Sequence, residues 1–246
     1  MQINSPFGYS EVVPLLKTHR VRLPRAGAMP EFARHLNAIP ISFTEFGPAS
    51  HDYPLVFTST DGGKTYSPVA ILGMTTGENL FCRDADWAAG VYVPAYARRH
   101  PFCMARVRLQ EVEQKDRLIC VEKSCVDDAA GEALFDGQGA PLGKWRDLQR
   151  LLVEYEADLE RGRELCSIVA DYALLQPFNM QATTKQGGKV QLTGMHRIDE
   201  SRIEHLNASQ FKNLARKGIL GRIYAHLLSL ENFSRLLARR PQPAAA

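Results

Sequence analysis

Long apolar runs are missing from this chain of 246 residues: no stretch approaches the roughly 18 apolar residues that a membrane helix needs. A large charge of one sign is missing too. Thirty Lys and Arg against 27 Asp and Glu leave a formal charge of +3, with both signs spread along the chain, too small an excess for a nucleic-acid surface. The five cysteines, Cys82, Cys103, Cys120, Cys125 and Cys166, are odd in number and show no CxxC or zinc-finger spacing. Free thiols are therefore expected. Met1–Phe7 has neither a basic nor an apolar leader segment, so a cytoplasmic location is expected. Glycine-rich phosphate loops, HExxH, GxSxG and the kinase motifs are all lacking, which removes the enzyme classes that depend on them. A composition 45% hydrophobic and 23% charged excludes a disordered or collagen-like chain.

What is present reads as short strands followed by helices. Residues 1–30 are rich in Pro, Gly and basic side chains and form an extended arm or edge strand. Leu55–Thr58 and Tyr66–Leu72 flank Asp61-Gly62-Gly63, whose glycines allow the positive φ of a hairpin turn. Arg106–Leu109 and Leu118–Val121 read as a second strand pair around the charged stretch 111–117. From Lys144 the period changes to steps of three and four: Trp145, Leu148, Leu152, Tyr155, Leu159, Cys166, Val169 and Ala173 mark one long helix, with a stop at Leu174-Leu175-Gln176-Pro177.

A third hairpin follows, Gln176–Thr184 with Lys189–His196, turning at Gln186-Gly187-Gly188. Asn207-Ala208-Ser209-Gln210 has the form of a capping box opening a helix to about Lys217, ended by Gly218. Leu220, Ile223, Tyr224, Leu227, Leu230 and Leu237 give the last helix an apolar face. The order lacks βαβ alternation and points to an α+β fold, with short antiparallel strands and hairpins packed with one long helix and two C-terminal helices. One domain over 31–238 is expected, followed by a mobile tail over 239–246.

Chemistry-bearing groups are few. Asp84-Ala85-Asp86 has the spacing of a divalent-cation pair and equally that of a solvated turn. Cys103 and His100 lie close enough in sequence for a nucleophile and base, although buried cysteine is the simpler reading. His226 sits in the last helix beside Tyr224 and near Ser229, as a ligand or as a hydrogen-bonded structural histidine. Tyr92-Val93-Pro94-Ala95-Tyr96 precedes Arg98-Arg99-His100-Pro101-Phe102, so adjacent guanidiniums that can fork onto a carboxylate stand beside aromatic rings. The alternative is a solvated turn of helix in which the arginine stems cover apolar surface.

That segment is one of a series of blocks. Asp52–Phe57, Pro68–Gly73, Gly77–Phe81, Tyr92–Tyr96, Arg98–Phe102, Gly194–Glu200 and Ile223–Asn232 occur in an order that resembles the SapC family over residues 36 to 237. Cys82, Arg83 and Cys103 depart from it. The family takes its name from a transport locus for surface-layer protein, and the resemblance implies genes near TonB-dependent receptors, tryptophan-halogenase-like proteins and cupin-like hydroxylases. It carries over no catalytic residues.

The expectation is thus a non-enzymatic accessory or binding protein linked to surface export, uptake or modification, with another protein or a peptide as partner and no cofactor or metal. The candidate binding residues are Glu78, Asn79, Trp87, Tyr92, Tyr96, Arg98, Arg99 and His226. An enzyme of unrecognised type acting on a peptide or small molecule, with its site drawn from these residues, is the alternative.

Overall fold

The computed structural model describes residues 2–25, 27–109, 112–113, 117–183 and 189–240. In chain order the strands are β1 (Gln2–Ile3), β2 (Val12–Pro14), β3 (Arg20–Val21), β4 (Ala38–Pro40), β5 (Leu55–Thr58), β6 (Ser67–Ile71), β7 (Cys82–Arg83), β8 (Asp86–Trp87), β9 (Phe102–Ala105), β10 (Val107–Leu109), β11 (Val112–Glu113), β12 (Leu118–Glu122), β13 (Glu132–Ala133), β14 (Leu175–Thr183) and β15 (Lys189–Ile198). The helices are α1 (Glu31–Arg34), α2 (Phe46–Ser50), α3 (Ala95–Arg98), α4 (Gly143–Asp171), α5 (Ala208–Arg216), α6 (Ile219–Ser229) and α7 (Asn232–Ala238). The fold is α+β, with antiparallel strands in small sheets, the expected long helix and helices at the C-terminal end.

The chain divides into two compact units: Met1–Ala33 with Ala95–Ala157, and Arg34–Pro94 with Asp158–Ala246. In the first, β12 is the centre of a sheet ordered β2-β12-β9, and β10 lies between β1 and β11. Within the N-terminal stretch, Gln2–Ile3, Val12–Pro14 and Arg20–Val21 are thus paired into sheets as β1, β2 and β3. The expected pairing of 106–109 with 118–121 is corrected. Leu118–Glu122 pairs with Phe102–Ala105 on one side and Val12–Pro14 on the other, because buried Cys120 and Val121 require neighbours on both edges of their strand. Of the charged stretch between those segments, residues 111 and 114–116 lie outside the described residues. One core cluster joins Val21, Phe102, Val121, Leu134, Trp145 and Leu152, and another joins Tyr9, Val12, Cys103, Ala105 and Cys120.

The second unit is built on a five-stranded sheet ordered β14-β15-β5-β6-β4, all neighbours antiparallel. The β5–β6 hairpin turns where expected: Gly62 and Gly63 take φ of 72° and 89°, and Asp61 accepts the backbone N–H groups of Lys64 and Thr65. The β14–β15 hairpin also forms, and its turn over Gln186-Gly187-Gly188 lies outside the described residues. Helix α6 packs on β5 and β15 beside α2.

Three local expectations are corrected. Helix α4 ends at Asp171 because Ala173 turns left-handed at φ 53° and Leu174 N–H bonds back to the Val169 carbonyl at 2.9 Å, not because of Pro177. Pro177 instead occupies edge strand β14, where a missing N–H is tolerated. The last helix is two helices, α6 and α7, and its buried face is rotated: Ile219, Ile223, His226 and Ser229 point inward, whereas Tyr224 and Leu228 are 43% and 69% exposed. The capping box Asn207–Gln210 forms as read, with both reciprocal bonds present.

Candidate functional site

Glu78, Asn79, Trp87, Tyr92 and His226 belong to the second unit, and Tyr96, Arg98 and Arg99 to the first. Within the second unit, His226 is fully buried on α6. Its Nε2 accepts the Ile198 N–H at 3.0 Å and its Nδ1 donates to the Leu55 carbonyl at 2.7 Å, which ties α6 to β15 and to the start of β5. Burial holds its pKa down to about 4. One turn later, Ser229 Oγ accepts the Leu55 N–H at 2.9 Å and donates to the His226 carbonyl at 2.6 Å. Both polar side chains on this apolar face thus satisfy backbone groups, and both nitrogens of the imidazole are occupied.

Trp87 and Tyr92 are brought together by a residue the sequence did not single out. Trp87 Nε1 donates to Tyr53 Oη at 2.7 Å, and that hydroxyl donates to the Tyr92 carbonyl at 2.5 Å. Tyr92 N–H donates to Asp52 Oδ2 at 2.8 Å, and its phenol donates to Glu45 Oε1 at 3.0 Å. Glu45 is buried, and its other oxygen takes the N–H and hydroxyl of Ser42, each at 2.8 Å. A second buried carboxylate, Asp158 on α4, accepts the N–H and hydroxyl of Thr44 at 2.7 and 2.8 Å. Asp158 lies on the buried face of α4, three residues after Tyr155 and seven before Leu165, where its polar character hid it among apolar neighbours. For Glu45 the sequence signal is the Ser42-x-x-Glu45 spacing, that of a capping box.

Glu78 lies in a tight loop. Its carboxylate accepts the Met74 N–H at 2.7 Å and pairs with Arg240 Nε at 3.0 Å, and a Cβ on Gly73 would collide with its carbonyl. Asn79 Oδ1 accepts the Phe81 N–H at 2.9 Å, and Arg239 lies 4.3 Å from the centre of the Phe81 ring. Arg239 and Arg240, assigned to the tail, thus make contacts, and 241–246 lie outside the described residues. Asp84 and Ala85 form the turn between β7 and β8.

In the first unit the paired guanidiniums separate. Arg98 is exposed at the end of α3. Arg99 is only 3% exposed, its guanidinium carbon 4.2 Å from the ring centre of Tyr96, 5.0 Å from Tyr155 and 5.7 Å from Tyr9. Its charge is met by Glu156 at 3.8 Å, a carboxylate that also pairs with Arg117. The picture of two surface forks side by side is therefore corrected: aromatic packing draws Arg99 inward. Tyr96 is buried as well, its hydroxyl donating to the Phe7 carbonyl at 2.5 Å.

His100 packs against Tyr9 and Phe32, and burial together with Arg99 lowers its pKa to about 4. Burial raises the Cys103 thiol to about 12. The two are driven toward neutral imidazole and neutral thiol, the reverse of a thiolate–imidazolium pair.

An open cavity of about 400 Å³ lies elsewhere in this unit, walled by Val13, Pro14, Val126 and the half-exposed Leu16, with His19 and Lys123 at its sides. It runs beside edge strand β2. His19 Nδ1 accepts the Leu16 N–H at 3.3 Å, and exposed Lys123 pairs with Glu11 at 2.9 Å. Sequence reading missed this groove because its walls come from segments more than a hundred residues apart. Among the described residues no group of three His, Cys, Asp or Glu side chains could hold a metal ion, and no helix is long and apolar enough to cross a membrane.

No curated protein and no solved structure matches the chain. The sequence model of the SapC family matches residues 17–236, which include the His226 clamp, Arg99 with Tyr96 and Tyr155, and His19, Lys123 and Val126 of the groove, while Tyr9, Val13, Pro14 and Leu16 precede the match. The chain belongs to the SapC family.

Proposed function

We propose that this protein is a non-catalytic accessory that binds another protein through the apolar groove on its first unit. The observation that carries the reading is the groove itself: Leu16, Val13, Pro14 and Val126 offer open apolar surface, while His226, Trp87, Tyr92 and Glu78 are engaged in internal bonds. The occupant this chemistry suits is an extended segment carrying large apolar side chains beside a carboxylate. The apolar groups would fill the groove, and the carboxylate would compete with exposed Glu11 for Lys123. The family's link to surface export and uptake suggests a partner in such a system, met in the cytoplasm.

A photo-crosslinking residue at Leu16, with a control at exposed Phe211, tests this in native cells. Discrete protein adducts from position 16 that disappear in a Val13→Asp/Val126→Asp background are expected. Identical adduct patterns from both positions, or none from Leu16, would sink the reading.

A further inference from the structure

We infer that the outer edge of β14 is a self-association surface, pairing antiparallel with β14 of a second copy of this chain. The strand runs nine residues, Leu175–Thr183, and pairs with β15 alone; the one side chain that bonds its backbone, Arg202, reaches its first carbonyl, that of Leu175, at 3.5 Å among the described residues. Every other edge strand among the described residues has four residues or fewer, and β2 and β4 each end in proline. Exposed edges present a row of unpaired N–H and C=O groups, and soluble proteins blunt them with charge, proline, bulges or brevity.

Here the blunting covers only one end. Pro177 and an irregularity between Phe178 and Met180, where Asn179 faces both Thr193 and Gly194, guard the first part of the strand. Met180-Gln181-Ala182-Thr183 has neither device. In a chain 23% charged, the whole of β14 reads Leu-Gln-Pro-Phe-Asn-Met-Gln-Ala-Thr without one charge.

A second copy fits this edge for two reasons. Pairing about a twofold axis sets the strand against itself, and the exposed side chains Asn179, Gln181 and Thr183 each both donate and accept hydrogen bonds, so identical groups are complementary. No like charges meet across the axis. The paired strands join the two five-stranded sheets into one continuous sheet through both copies. This surface belongs to the second unit and does not depend on the groove of the first.

Sedimentation analysis of the full chain from micromolar to near-millimolar concentration tests the inference. The wild type should show a reversible monomer–dimer equilibrium. Asn179→Lys/Gln181→Lys places like charges across the axis at exposed positions and should weaken dimerisation at least about tenfold while leaving the thermal melt unchanged. Asn179→Glu/Gln181→Glu should do the same, and mixing the Lys and Glu forms should restore a dimer. A wild type that stays monomeric throughout overturns the proposal. So does a dimer that both variants retain, or variants that remain monomeric when mixed although each melts as the wild type does.

Discussion

The backbone N–H of Ile198 donates to Nε2 of His226 at 3.0 Å, inside a site with no access to water. That bond fixes the tautomer: Nε2 must be the bare nitrogen, and Nδ1 carries the proton toward the Leu55 carbonyl. Protonating Nε2 would set one N–H against another.

The pH dependence of stability follows. The His226 pKa is about 4 when folded against 6.5 when free, so the unfolded chain binds more protons between these values. Its contribution is complete above about pH 6.5 and is lost as pH falls toward 4, a decline of about 3 kcal/mol. His100, held down to about 4, acts in the same direction and window. The carboxylates Asp61, Asp127 and Asp199, held below 3.8 by the hydrogen bonds they accept, contribute at lower pH. Denaturant melts across this range should show His226→Gln weaker at neutral pH and flatter in its pH response. Curves parallel to wild type would contradict the clamp.

Arg98 and Arg99 should differ sharply. Arg98→Ala, at an exposed position, should change stability by about 0.5 kcal/mol or less. Arg99→Ala empties the space among Tyr9, Tyr96 and Tyr155 and removes a partner of Glu156, so a loss of about 3 kcal/mol is expected. Equal melting temperatures for the two variants would show that the cage contributes nothing.

Leu152, 1% exposed on α4, packs in the cluster with Trp145 and Phe102. Replacing it by Ala should lower stability by about 2–5 kcal/mol through lost burial and the cavity left behind. An unaltered melt would place that face of the helix in solvent.

All five cysteines are free, and three of them, Cys103, Cys120 and Cys166, are buried with thiol pKa values pushed up by burial to about 12, 11 and 12. Alkylation of native protein should label Cys82 and Cys125, with the other three reacting only after denaturation. Mass spectrometry finding native labelling at Cys103 or Cys120 would mean that the β9–β12 core opens readily.

Interactions within a few residues could be read from the sequence, since their geometry closes locally. Asn207 and Gln210 form their reciprocal cap, Gly62 and Gly63 take the positive φ their turn requires, and the stripe from Trp145 to Val169 winds as one helix. Tertiary structure decided whatever depended on a distant partner. Leu118–Glu122 found β2 and β9 in place of the strand adjacent in sequence, because a central strand must bond on both edges. Arg99 turned inward because Tyr9 and Tyr155 arrive from opposite ends of the first unit's sequence to receive its charge. Glu45 could be buried only where Ser42 and Tyr92 converge to hydrogen-bond it, and His226 only where the backbones of Leu55 and Ile198 do. Burying a polar group costs free energy unless its bonds are replaced, and which chain segments replace them is settled only when the whole fold closes.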